Sequence, residues 1–206
     1  MNPSKYPRTP HLAWSNPSDD DLFDVPRLAY EEVVVTEKMD GECTSLYQDA
    51  IHARSLNWTP HPSRSWISAL HGHIKHLIPK DMKIVGENLF AKHSIQYDDL
   101  DSYFLVFGVW CGPRVLSWDD TVSICSDLGL CTVPVLYRGS YQEAHLKKIA
   151  AHMDHSKSEG YVVRPSSDFP IAEFEHYVAK YVRPNHVQTD EHWMYQPVTY
   201  NKMRIK

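Results

Sequence analysis

The chain reads as an α+β protein, antiparallel sheets with flanking helices, and three observations predict it. Short β-branched, apolar runs recur from Glu32 onward. Helical 3.6-residue patterns fall between them at irregular intervals. No regular strand–helix alternation and no glycine loop of the GxGxxG or Walker type is present, which argues against a dinucleotide or P-loop fold. At 206 residues the chain can bury one sizeable core with a small appendage.

Residues 1–30, rich in proline and short polar residues, read as an N-terminal arm lying on the domain, with Trp14 and Phe23 as anchors; residues 31–206 form the domain proper. Strands are expected over 33–37, 44–48 and 51–54, the last two joined by a turn at Asp49-Ala50. Ser63 is placed to cap a helix through Ile78, with Trp66, Leu70, Ile74 and Leu77 on its apolar face and Pro79 ending it. Strands follow over 83–89 and 103–110. The segment 117–128 reads as a helix presenting Val122, Cys125 and Leu128, with Gly129 after it. Ser140 and Glu143 form a capping pair opening a helix that carries Ala144, Leu146, Ile149 and Met153. Runs 161–164 and 177–182 read as the last strands, and no internal repeat is seen.

A hydrophobic fraction of 42% with 23% charged residues is that of a soluble globular protein, and no apolar run approaches eighteen residues. With a polar start at Met1 to Lys5, a cytoplasmic location without membrane contact is expected. Cys43, Cys111, Cys125 and Cys131 form no CxxC pair and are expected as reduced, partly buried thiols. The formal charge of −5 excludes a broadly basic nucleic-acid coat but allows a local positive groove. Among thirteen histidines, His71, His73 and His76 cluster without metal-ligand spacing or an acidic partner, and read as a polar helix face in water.

Chemistry is expected at Lys38-Met39-Asp40-Gly41, just past an apolar strand. A lysine amine with its ordinary pKa of about 10.4 is almost wholly charged at neutral pH, so a nucleophilic lysine needs burial or neighbouring cations. Further charged residues sit at strand ends. Arg54 can grip a phosphate or ribose, Glu87 can accept from ribose hydroxyls, Phe107 can stack on a base, Glu159 is a hard ligand for a magnesium ion, and Lys180 can hold an α-phosphate and depress the Lys38 pKa. Singly, each is as well explained by surface ion pairing or core packing.

In order, KMDG, ARS, GEN, FGV, SEGYVVR and AKYVR resemble the motifs of the ATP-dependent polynucleotide ligases and capping enzymes, from Lys38 to Arg183. The tract from Gly86 to Ile95, with Tyr97 and Ser102-Tyr103-Phe104, is similar to the RNA ligase branch, including phage-type nick-sealing enzymes. The resemblance implies a nucleotidyltransferase (ATP-grasp-like ligase) domain. It also implies an ATP-dependent reaction in which Lys38 becomes a lysyl-AMP, the AMP passes to an RNA 5′-phosphate, and a 3′-hydroxyl displaces it. Carried over, Lys38, Asp40 and Lys180 are catalytic; Glu37 contacts the adenine edge; Arg54, Glu87, Phe107 and Lys180 bind the nucleotide; and Glu159 organises Mg2+ or Mn2+. RNA ends in nicked or duplex RNA, and an end-healing enzyme, are the implied partners. Lys92 and His93 are candidates for phosphate or RNA contact. Two other readings remain open: a capping-type guanylyltransferase, and a nucleotide- or RNA-end-binding module without sealing activity.

Two departures matter. Many family members carry a second lysine two positions after the one matching Lys180, where this chain has Val182, with Arg183 the nearest cation. With 23 residues after Arg183, no OB-fold domain is expected. The ending, including 188–194 and the basic 202–206, can touch RNA or simply pack.

Overall fold

A computed structural model describes residues 2–15, 22–23, 25–56, 58–183 and 198–205. Two sheets dominate it. The first has the order β11 (Ala179–Val182), β9 (Gly160–Pro165), β1 (Glu32–Lys38), β8 (Val135–Ser140), all antiparallel. The second runs β10 (Phe169–Pro170), β6 (Arg114–Val115), β5 (Phe104–Cys111), β4 (Met82–Asn88), β2 (Glu42–Leu46), β3 (Ile51–Ala53), with β7 (Cys131–Thr132) added to β5 in parallel. The α+β expectation holds, and no OB-fold barrel forms among the described residues.

Because strand side chains alternate faces, β1 divides its load. Val33 and Val35 pack outward with Tyr161, Val163, Leu146 of α3 (Glu143–His152), and Leu12 and Leu28 of the arm. Val34 turns inward to Met39, Leu89, Leu105 and Trp118, and Thr36 and Lys38 follow it on that inner face. On the second sheet Ile84, Phe104, Val106 and Val109 face α1 (Ser65–Ile74) and α2 (Trp118–Asp127). The β4–β5 register shifts after Val85, leaving Phe107 without a pairing partner on β4. That bulge re-aims Phe107 toward the space between the sheets.

Several expected details are corrected. Ser63 is not the helix cap: His61 accepts from its N–H and opens a short 3-10 turn, Pro62–Arg64, before α1. The buried face of α1 is Ile67, His71 and Ile74, one position round from the expected stripe, and Leu77 is exposed. His71 is therefore not in water; its Nε2–H donates to the Tyr47 carbonyl (2.7 Å). In α2, capped by Ser117 as expected, Trp118, Thr121 and Cys125 are buried while Val122 is exposed. Ser140 ends β8, and α3 starts after Gln142 with no side-chain cap. Residues 177–178 belong to the end and exit of a helical turn, α4 (Phe174–Tyr177), so the last strand starts at Ala179. The cysteines are free thiols, as expected.

The arm is built into both sheets. Leu12 and Phe23 are buried, and Trp14 Nε1–H donates to Tyr161 Oη (2.9 Å). Lys180 N–H donates to Pro10 O (2.9 Å) and Leu12 N–H to Lys180 O (2.8 Å), which adds 10–12 beside β11. Tyr6 packs on Phe107, Trp110 and Phe174 of the other side.

Candidate active site

The sheets enclose a cavity of about 1220 Å³, and Glu37, Lys38, Arg54, Glu87, Phe107 and Lys180 all line it. Six residues scattered over 144 positions of sequence thus share one space. They do so because the ends of β1, β4 and β11, the β5 bulge and the exit from β3 converge there. Two glycines permit the convergence. A Cβ on Gly160, which pairs with Lys38, would sit 1.9 Å from Tyr181 O, and its φ of +154° is itself unfavourable for other residues. A Cβ on Gly41 would sit 2.5 Å from Asn88 O.

Lys38 Nζ forms an ion pair with the buried Glu159 carboxylate. Burial alone would lower the lysine pKa, but the carboxylates of Glu159, Glu87 and Asp40 outweigh it and hold the amine above its ordinary value. The expectation that Lys180 depresses this pKa is corrected: Lys180 lines the same cavity, yet the acids dominate the field at Nζ. Glu87 shows the reciprocal effect. Burial pushes its carboxyl up to about 8 despite the attraction of Lys38, with Glu159 and Asp40 adding to the rise, and it accepts from Gly41 N–H (3.1 Å). Glu37 is likewise raised by burial against a hydrogen bond from Ser158.

Asp40 is absent from the cavity lining. Its Oδ2 accepts from Ser94 N–H (2.7 Å), Ser94 Oγ (2.7 Å) and Ile95 N–H (2.8 Å). Burial opposes its charge, but these bonds, with nearby His93, hold its pKa below the usual value. It fastens the 93–97 segment beside the lysine. His93 lines the cavity; Lys92 does not, and its N–H donates to Thr199 O (2.8 Å). Arg54 is anchored by Nε–H to Tyr6 O (3.3 Å). Arg183 turns away: its Nη1 donates to His155 O and its N–H to Glu159 O (3.0 Å).

Sequence reasoning missed several lining residues. Arg164, 6% exposed, donates to the Phe107 carbonyl and to Thr36 Oγ1 (2.9 Å), so it fixes the aromatic wall to β1. Arg64 forks onto both oxygens of Glu42 and packs over Trp58. From the arm, Tyr6, Arg8, Thr9 and His11 close one side. Arg164 was in view, within SEGYVVR; the pairing of Arg64 and the course of the arm left no local signal. Among the described residues, no three His, Cys, Asp or Glu side chains gather as a metal cluster, and no helix is long and apolar enough to cross a membrane.

Two antiparallel sheets flanking a lysine-bearing cavity define the nucleotidyltransferase fold of the ATP-dependent ligases. An archaeal ATP-dependent RNA ligase superposes with a TM-score of 0.59 at 18% identity, over 86% of this chain and 48% of that one. Naegleria gruberi RNA ligase with PPi gives 0.55 at 17%, over 87% and 59%. A putative ATP-dependent DNA ligase from Aquifex aeolicus gives 0.54 at 19%, over 86% and 49%. The chain thus spans about half the length of these structures, and the likeness is one of fold. No curated protein matches the sequence. The RNA ligase family profile matches residues 31–182, and the chain belongs to that family.

Proposed function

We propose that the chain is an ATP-dependent RNA ligase that joins 5′-phosphate and 3′-hydroxyl ends through a lysyl-AMP, sealing nicks in duplex RNA as a repair reaction. One observation carries the reading: Lys38, its amine paired with the buried Glu159, which is not itself a lining residue, opens onto a nucleotide-sized cavity with Lys180 and Arg54 on its walls. Support for ATP use comes from the relatives, one described as an ATP-dependent RNA ligase and another as an RNA ligase mutant with ATP and Mn.

In this reading, Lys38 Nζ attacks the α-phosphorus of ATP; the N–P bond forms, the P–O bond to pyrophosphate breaks, and Glu159 is placed to take the ammonium proton. Phe107 stacks on adenine, Glu37 meets its edge, Glu87 accepts from the ribose, and Arg54 and Lys180 neutralise the phosphates. The RNA 5′-phosphate then displaces Lys38 from the AMP, forming an anhydride, and the 3′-hydroxyl attacks that 5′-phosphate and expels AMP. Asp40, outside the lining, steadies the lysine through the 93–97 segment that it fastens. The carboxylate of Glu159 is a hard oxygen donor that suits Mg2+ or Mn2+, with phosphate oxygens completing the set. Such an ion supplies charge neutralisation at the phosphates. Because both ends must carry the right groups, an end-healing enzyme is the expected partner.

Incubation with α-labelled ATP and magnesium is expected to label the wild-type chain covalently and to leave Lys38→Ala unlabelled. The purified chain should also close a nicked RNA duplex. Label retained in the variant would remove Lys38 from the reaction, and AMP binding without closure would leave only a binding module.

A further inference from the structure

From the arm, Tyr6, Pro7, Arg8, Thr9 and His11 line the cavity, and Arg8 and His11 have no part in the roles above. Two prolines fix φ in this stretch and hold it extended. The backbone pairing of 10–12 with Lys180 sets His11 directly beside that lysine, a parallel bridge whose partners face the same way. The His11 ring is then locked. Its Nδ1 lies 2.8 Å from Ser15 Oγ, and that oxygen already accepts from Val182 N–H (2.9 Å). The same hydroxyl lies 3.4 Å from Val182 O, so the contact holds the ring in place between Ser15 and Lys180. The lock is tied to Val182, the position where a second strand lysine is lacking. Arg183 is not among the lining residues, and its Nη1 donates to His155 O.

We infer that Arg8 and His11 form the seat for the β- and γ-phosphates of ATP, and so for the departing pyrophosphate, in place of a second lysine on β11. The inference rests on the ligase reading above, in which the α-phosphate lies between Lys38 and Lys180. A nucleoside triphosphate so placed extends its remaining phosphates along the arm side of Lys180. Arg8 supplies full charge and His11 a polar ring held beside Lys180, and the arm contributes them only while it is docked.

The subsite is occupied in only one step. Adenylylation and its reversal involve pyrophosphate; closure of an already adenylylated nick does not. The test compares wild type with the Arg8→Ala/His11→Ala chain in three assays: lysyl-AMP formation from ATP, discharge of isolated enzyme–AMP by pyrophosphate, and closure of a pre-adenylylated RNA nick without ATP. Loss of charge-assisted hydrogen bonds predicts a decrease of about tenfold or more in the first two, with the third within about twofold. The affinity for AMP, which lacks both phosphates, stays within about twofold while that for ATP falls. Equal losses in all three assays mean that the arm is merely structural, and unchanged ATP affinity and pyrophosphate discharge mean that the seat lies elsewhere; either outcome overturns the assignment. A wild-type chain that neither binds AMP nor becomes labelled sinks the ligase reading itself, a result distinct from both.

Discussion

Lys38 is held charged in the unliganded protein, since three carboxylates outweigh the burial that would otherwise free its amine. Its folded pKa lies above the unfolded value. The contribution of the lysine's charge is therefore present up to about pH 10 and is lost as pH rises through the folded value. Glu87 runs opposite to most acids. With a folded pKa of about 8 against an ordinary 4.5, the native state holds an extra proton across that window, and stability falls as pH rises through it. Glu87→Gln keeps an acceptor for Gly41 N–H and removes the titration. At pH 5 the variant should match wild type. At pH 8.5 it should be more stable by on the order of 1–2 kcal/mol, or a few degrees in Tm. A Tm difference that stays flat with pH would contradict the assigned shift. The motif residues were legible because each sits at the end of an apolar run. The charge balance was not, since it depends on Glu87 and Glu159 reaching one amine from two different sheets.

At the level of elements, strands with two buried faces announced themselves. The edge strand β8 did not, because Val135 and Leu136 lie exposed and its alternation carries no core signal. The helices fall where periodicity predicts but with displaced faces, since the chain begins its turns at His61 and Gln142 and not at Ser63 and Ser140. Of the C-terminal tail, 188–194 lie outside the described residues, whereas 198–205 brace the site. Lys202 and Arg204 pair with Asp98, Asp99 and Asp101 on the surface. Asn201, 2% exposed, accepts from Tyr97 N–H (2.9 Å) and donates to Leu89 O (2.7 Å) and Ala91 O (3.3 Å). Tyr97 Oη in turn accepts from Asp40 N–H (3.0 Å). Asn201 thus positions Asp40 through one intervening side chain. Asn201→Ala should cost about 2–4 kcal/mol, because it strands three buried backbone groups. It should slow lysyl-AMP formation more than it raises the KM for ATP, since the binding walls are untouched. A KM effect alone would place Asn201 in nucleotide binding instead.

Across the whole molecule the two sheets meet around the cavity, and the N-terminal arm ties them together. Composition predicts an arm with anchors at Trp14 and Phe23, but no periodicity marks the path by which its first residues clamp the second sheet. Ser4 accepts from the buried Lys83 Nζ (2.8 Å), which also lies 4.0 Å from the Trp110 ring centroid. Tyr6 joins the cluster of Val85, Trp110, Phe169 and Phe174 on the second sheet, and Leu12 is buried with Val33, Val35 and Tyr161 on the first. A segment anchored at both ends should dock as a unit, so releasing one end loosens the other. Tyr6→Ala and Leu12→Ala are each expected to cost about 2–5 kcal/mol from lost burial and the cavity left behind. If docking is concerted, the double variant should fall short of their combined cost by at least about 1 kcal/mol, because much of the loss is already incurred by the first substitution. Saturating ATP should restore part of it, as ligand binding to the native state alone raises stability. Strictly additive losses in urea unfolding, with no ATP effect on the coupling, would mean that the arm touches each sheet independently and does not hold the cavity shut.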